Sequence, residues 1–423
     1  MAGPLPTGLL PDTASISADG RLRIGGCDLV DLAGEYGTPL FVYDEAHLRS
    51  RCREAVAAFG DGVAYASKAF LCGAMARLAH EEGMHLDVAT GGELFVARRA
   101  GVPADRLVMH GNNKSGAELA MALDEGVGRI VVDSFDELDR LDAIATATGS
   151  RPRVLLRITP GVEAHTHEFI ATGQDDSKFG FTASSGLATA AVERAVASDS
   201  VELVGLHAHI GSQVFEVGAF ARAVEVLVDF AAPFGLAELS VGGGLGVPYV
   251  EGESAPSITE WASGIRAVCE AAGVTASVSA EPGRAIVAAA AVTLYTVGTI
   301  KDLPGIRTYV AVDGGMSDNP RPVLYGSGYE TFLPRATAAE RSRPVRVVGK
   351  HCESGDLLVR EGWVPDDLVV GDVLATPVTG AYGHAMGSNY NHVLRPAVVF
   401  VADGDARMVV RRETFEDLVR REV

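Results

Sequence analysis

Short apolar runs alternate with longer stretches of helical spacing through the middle of the chain. The runs fall at residues 63–67, 85–89, 107–110, 130–133, 154–158, 204–210, 239–242 and 276–280. Between them, residues 72–82, 92–100, 117–125 and 135–148 repeat their apolar positions at the three-to-four spacing of a helix with one buried face. Eight strands alternating with helices over about 250 residues predict a parallel barrel. An open doubly wound sheet is the competing arrangement; it needs a topological switch point, and eight fairly regular units suit closure better.

The pattern changes after Arg284. Residues 292–300, 308–312, 345–348, 368–375, 393–401 and 407–411 are β-rich, separated by turn signals, with no long helix among them. They predict an antiparallel β domain of the sandwich or barrel kind. Residues 22–24 and 40–43 read as short strands that precede the barrel and join that second domain. The expected fold class is therefore α/β, a (β/α)8 TIM barrel plus a second β domain. Its expected division is 1–45 for the N-terminal strands, 46–290 for the barrel and 291–423 for the β domain, with residues 1–15 frayed.

Composition narrows the function. The chain has 423 residues and a net charge of −19, which argues against a basic surface for nucleic acid or an acidic membrane. No apolar run reaches the ~18 residues of a membrane helix, and the first residues lack the pattern of a signal peptide. Five scattered cysteines without metal-type spacing suggest a reducing compartment and no metal site. A cytoplasmic enzyme is expected.

The candidate chemistry lies at the ends of the predicted strands, where barrel enzymes keep their sites. Gly242-Gly243-Gly244-Leu245-Gly246 and Glu281-Pro282-Gly283-Arg284 follow the seventh and eighth strands, the usual place of a barrel phosphate site. Glycine lets backbone N–H groups approach a phosphate, and Arg284 adds a planar charged fork. Tight turns are the plainer reading of such runs. Lys68, one of only five lysines, follows the first strand, where a partly buried amine can form a Schiff base with an aldehyde. A rim salt bridge is its bland alternative. Phosphate, aldehyde and lysine together suggest pyridoxal 5′-phosphate. Asp87 and Glu93 flank the second loop, and Arg157 lies near the end of the fifth strand. His207 and His209 share one face of the sixth; His209 is placed to stack on a pyridine ring, and His207 reads as a hydrogen-bonded core residue. Ser212 is a phosphate donor, and Glu281 a carboxylate for the pyridine nitrogen, which makes the ring an electron sink for decarboxylation.

Several segments in order resemble the diaminopimelate decarboxylases, in the alanine racemase-like group of pyridoxal phosphate enzymes that includes ornithine decarboxylase. They are Tyr65-Ala66-Ser67-Lys68-Ala69, His110-Gly111-Asn112-Asn113-Lys114, His165-Thr166-His167-Glu168-Phe169 leading to Asp176-Ser177-Lys178-Phe179-Gly180, and His207-Ala208-His209-Ile210-Gly211-Ser212-Gln213. Beyond the two glycine loops come Asp313-Gly314-Gly315-Met316 through Arg321 and Tyr325, then Cys352-Glu353-Ser354-Gly355-Asp356, Gly380-Ala381-Tyr382-Gly383 and Ser388-Asn389-Tyr390-Asn391. The resemblance spans about residues 20–415.

The resemblance implies a pyridoxal-binding barrel with a β domain and decarboxylation of meso-2,6-diaminopimelate to L-lysine. It implies Lys68 as the cofactor-bearing lysine, His209 for ring stacking and Glu281 for the pyridine nitrogen, with Ser212, Gly244, Gly283, Arg284 and Tyr382 around the cofactor. It also implies a homodimer with shared sites, in which Cys352 protonates the carbanion and, with Glu353, comes from the partner. On its own, a solitary cysteine reads as buried and inert. Arg284, Arg321 and Tyr325 suit the substrate's distal carboxylate and Glu353 its distal ammonium, and Tyr382 is a further substrate-binding residue. One departure stands out: His384 occupies a position where the family more often has an aromatic residue, either a neutral surface change or an altered substrate pocket. The second option leaves open a paralogue acting on a related or carrier-bound amino acid. A regulatory homologue without catalysis and a racemase are further alternatives, opposed by the retained Lys68 and Cys352 and by Glu281 respectively.

Overall fold

The computed structural model describes residues 3–161 and 176–423. The His165–Phe169 part of the matched motifs lies outside the described residues. The chain forms two compact units: one from Met1–Ser50, Val247–Ser254 and Ile286–Val423, the other from Arg51–Gly246 and Ala255–Ala285.

The second unit is the barrel. Its strands are Ala64–Ala66, His85–Val88, Leu107–Met109, Arg129–Val132, Arg153–Thr159, Glu202–His207, Glu238–Ser240 and Ser277–Ser279. Each pairs in parallel with the next. The first and eighth are joined by Ala64 N–H donating to the Ala280 carbonyl (2.9 Å) and Ala66 N–H to that of Pro282 (3.2 Å). Four of the barrel helices start after Ser or Thr followed three residues later by Glu. Thr90, Ser115, Ser134 and Ser257 each accept from the backbone N–H of that Glu. The reciprocal bond is made by Glu118 and Glu260, whereas Glu137 turns to the buried Lys114 and Glu93 to the Ala89 N–H.

The first unit holds a sheet of mixed direction. Ala291–Leu303 pairs antiparallel with Leu40–Asp44, Arg307–Val312 and Val373–Pro377. Arg343–Val348 joins Arg307–Val312 in parallel, and Ala397–Ala402 joins Leu40–Asp44 in parallel, so the domain is not purely antiparallel as expected. Leu357–Val364, a strand that the pattern did not reveal, pairs with Arg343–Val348; Arg360-Glu361-Gly362 breaks its apolar run. Leu40–Asp44 enters this sheet as expected, but Leu22–Ile24 does not. It lies in a separate three-stranded sheet with Ser15–Ile16 and Cys27–Asp28, and its Leu22 and Ile24 pack into the same core as Leu40, Val292 and Val399. Residues before 15 are not simply frayed: Leu5 and Leu9 are buried, and the Thr13 hydroxyl donates to Asp44 Oδ2 (2.7 Å). No described helix is long and apolar enough to cross a membrane.

Candidate active site

Strand closure brings distant parts of the chain to one rim. Lys68 sits in the single turn Ser67–Ala69 directly after the first strand, and its charge acts on Asp87, Glu93 and His209. Glu281 follows the eighth strand. His207 Nε2 lies 2.9 Å from Glu281 Oε2, and the Ser240 hydroxyl donates to Oε1 at 2.6 Å. His207 is thus a hydrogen-bonded interior histidine, and its partner is the key carboxylate. His110 packs edge-on to His207 (5.1 Å) with Nε2 3.6 Å from Glu281 Oε1 and 3.4 Å from Asp87 Oδ1.

These contacts divide the two acids. Burial would raise the Glu281 pKa, but His207 and His110 beside it and the hydrogen bonds from His207 and Ser240 hold it well below the usual carboxylate range. Burial and the neighbouring Glu281 push Asp87 well above that range. One site therefore sets a carboxylate of lowered pKa beside a carboxyl of raised pKa. Burial lowers His110 to about 3 and, with the charge of Lys68, holds His209 well below its ordinary value, so both rings are neutral near pH 7. Ligand-capable atoms of His110, His207 and Glu281 lie within 4.8 Å of one another, a cluster that sequence spacing did not reveal.

The glycines form a cradle that a side chain would fill. A Cβ on Gly243 would stand 2.1 Å from the Glu281 carbonyl oxygen, and one on Gly244 (φ +116°) 2.2 Å from that of Gly211. At Gly283 it would meet Ala66 at 2.9 Å. Gly243 N–H donates to His209 Nδ1 (3.1 Å), fixing that ring against the loop. The Arg284 guanidinium donates to the Ser212 hydroxyl oxygen (2.8 Å), which turns the hydroxyl's own proton elsewhere. Gln213, next to it, has the left-handed φ of +61°. Glycine backbone, hydroxyl and guanidinium together suit a phosphate, and the charged Glu281 retains acceptor capacity for a pyridinium N–H. The residues present fit pyridoxal 5′-phosphate. Arg157 is buried with its guanidinium 4.2 Å over Phe179 and 3.9 Å from Asp133. Lys114, by contrast, is buried and bonded to the Gly111 and Val131 carbonyls and to Glu137 Oε1 (2.6 Å), a structural ion pair.

The β unit carries the other candidates. Arg321 and Tyr325 lie at the two ends of one short helix, Arg321–Tyr325. Arg321 is buried, 4.0 Å over the Tyr249 ring, and donates to the Tyr329 hydroxyl (2.6 Å). Burial works against its charge, but Tyr249, Tyr329 and Tyr382 outweigh it. Tyr249 and Tyr329 escaped the sequence reading, although each sits within a few residues of a matched motif. Tyr382 is half-buried and left-handed, φ +59°. Four of the five cysteines are buried and Cys352 is exposed, as is Glu353. Asp356 closes their loop by accepting from the Met316 and His351 N–H groups (2.6 and 2.8 Å). His384 is not on the free surface: it is half-buried, edge-on to Phe41 at 5.9 Å, and lines a cavity of about 420 Å³ with Arg395 and Glu413.

Comparison with known proteins agrees with this chemistry. Residues 45–288 match the family model of the pyridoxal binding domain of pyridoxal-dependent decarboxylases. The chain is 51% identical to a Mycobacterium tuberculosis diaminopimelate decarboxylase over 96% of this chain and 95% of that one. The corresponding Bacillus subtilis protein is 46% identical over 97% of each. Among solved structures, M. jannaschii diaminopimelate decarboxylase in complex with L-lysine superposes with a TM-score of 0.90 at 32% identity, over 97% of this chain and 98% of the other. The motifs, the architecture and these similarities agree, and the chain belongs to the diaminopimelate decarboxylase family of pyridoxal-dependent decarboxylases.

Proposed function

We propose that this protein decarboxylates meso-2,6-diaminopimelate to L-lysine and CO2 with pyridoxal 5′-phosphate. The observation that carries the reading is Glu281, a carboxylate kept ionised by His207 and Ser240 on a rim whose glycines leave room for a phosphate. When bound, the cofactor supplies a protonated pyridine ring that takes up the electron pair released as CO2 leaves. Glu281 holds the proton at the pyridine nitrogen. Lys68 is the amine that retains the cofactor, neutral His209 packs on its ring, and Ser212, Gly244, Gly283, Arg284 and Tyr382 surround it. Arg284, Arg321 and Tyr325 recognise the distal carboxylate and Glu353 the distal ammonium, and Tyr382 is a further substrate-binding residue. Cys352 returns a proton to the substrate's α-carbon.

In this reading residues 46–290 serve as the cofactor domain, and 1–45 with 291–423 as the β domain. The protein works in the cytoplasm as a homodimer whose partner subunit supplies Cys352 and Glu353 to each site. The test is incubation of the cofactor-loaded enzyme with meso-diaminopimelate, recording CO2 and L-lysine in equal amounts. Absence of lysine, or faster turnover of another amino acid, would move the chain to the paralogue reading.

A further inference from the structure

The Ser388-Asn389-Tyr390-Asn391 segment has no role in the reading above, yet it meets the cysteine loop directly. We propose that Asn391 is the positioning residue for Cys352. Its side-chain Oδ1 accepts the Cys352 backbone N–H at 3.0 Å. Its backbone is left-handed, φ +52° and ψ +24°, a region that asparagine tolerates better than other residues with a Cβ. The preceding amide, that of His351, is held by Asp356 Oδ2 at 2.8 Å. Two successive N–H groups are thus fixed, and with them the direction in which the Cys352 Cβ leaves the chain.

The surrounding segment is anchored for this purpose. Asn389 donates through Nδ2 to the Val393 carbonyl (3.1 Å) and to Glu413 Oε2 (2.5 Å). Ser388 N–H donates to the Ser317 carbonyl, and the Ser317 hydroxyl lies 2.8 Å from His351 Nε2. The His351 and Tyr390 rings pack at 5.4 Å. Position 391 therefore needs both an acceptor and a left-handed backbone. A neutral amide supplies the acceptor without setting a negative charge beside a thiol that must give up a proton. The inference rests on the reading of Cys352 as proton donor.

Three variants separate the requirements. Asn391→Gly keeps the left-handed backbone and removes the acceptor; Asn391→Asp keeps both; Cys352→Ser tests the proton donor itself. Because the chain has only five cysteines, ¹⁵N-cysteine labelling resolves the Cys352 amide, and its hydrogen exchange can be followed without cofactor. Asn391→Gly should lose that protection at an unchanged melting midpoint and lower kcat about 3- to 10-fold, the worth of one hydrogen bond, with KM unaltered. Asn391→Asp should restore protection, with kcat only partly recovered because the added negative charge disfavours proton release from the thiol. Unchanged exchange in Asn391→Gly, or equal loss in both variants, would overturn the positioning role. Undiminished turnover by Cys352→Ser would overturn the proton-donor reading instead, and the exchange data tell the two failures apart.

Discussion

The guanidinium of Arg321 lies over the ring of Tyr249, 4.0 Å from its centroid, with the Tyr329 hydroxyl accepting at 2.6 Å. Rings and a phenol hold the charge in place without neutralising it, so it stays ready for a carboxylate. Arg321→Ala should lose about 2–5 kcal/mol of transition-state stabilisation on meso-diaminopimelate, read as kcat/KM. Tyr329→Phe, which removes one charge-assisted bond, should raise KM about tenfold and spare kcat. L-lysine, lacking the distal carboxylate, should not be turned over. Unchanged kinetics in Arg321→Ala would remove the residue from substrate recognition.

Borohydride reduction of the cofactor-loaded protein should fix the label on the Lys68 peptide. Lys114 and Lys178 should stay unlabelled. Lys114→Met, which strands Glu137 in the interior, should instead destabilise the fold by about 3–5 kcal/mol in denaturant titration, whereas Lys68→Ala should cost little stability and abolish labelling.

Mixing inactive Lys68→Ala and Cys352→Ala chains tests the shared site. In the proposed homodimer, where Lys68 of one chain would meet Cys352 of the other, each mixed dimer should regain about one competent site. A mixture that stays inactive, although mass spectrometry shows subunit exchange, would place both residues within one chain's own site.

His384 gives a pH dependence. Burial lowers its pKa from 6.5 to about 4, so the folded state resists a proton that the unfolded chain accepts. Its contribution to stability is complete above pH 6.5 and is lost as pH falls through about 4, up to roughly 3 kcal/mol. His384→Phe should keep that stability, visible as a lower acid-unfolding midpoint, with unaltered kcat/KM. A changed substrate preference would return His384 to the substrate pocket.

The barrel was legible because parallel strands buried on both faces read as continuous apolar runs and the stretches between them keep helical spacing. The places of Lys68 and Glu281 in the fold were legible because each follows a strand. The strand Leu357–Val364 was not, since Arg360-Glu361-Gly362 interrupts its pattern. Nor were Ser240 and His110 as supports of Glu281: they lie 41 residues before it and on the third strand's end, and only closure of the sheet joins them. Tyr249 stayed hidden for a related reason, as the segment Val247–Ser254 leaves the barrel's chain run to belong to the other unit.

The two hydrogen bonds from Ala64 and Ala66 to Ala280 and Pro282 also set an order in time. Gly283 packs against Ala66, and Glu281 comes to the rim shared with Lys68 only when the last strand reaches the first. A growing chain that has emerged through the seventh strand carries the lysine but neither the carboxylate nor the arginine of the site. On the proposed reading, cofactor capture therefore waits for synthesis of the segment through Arg284, and a cofactor-loaded protein is one whose barrel has closed.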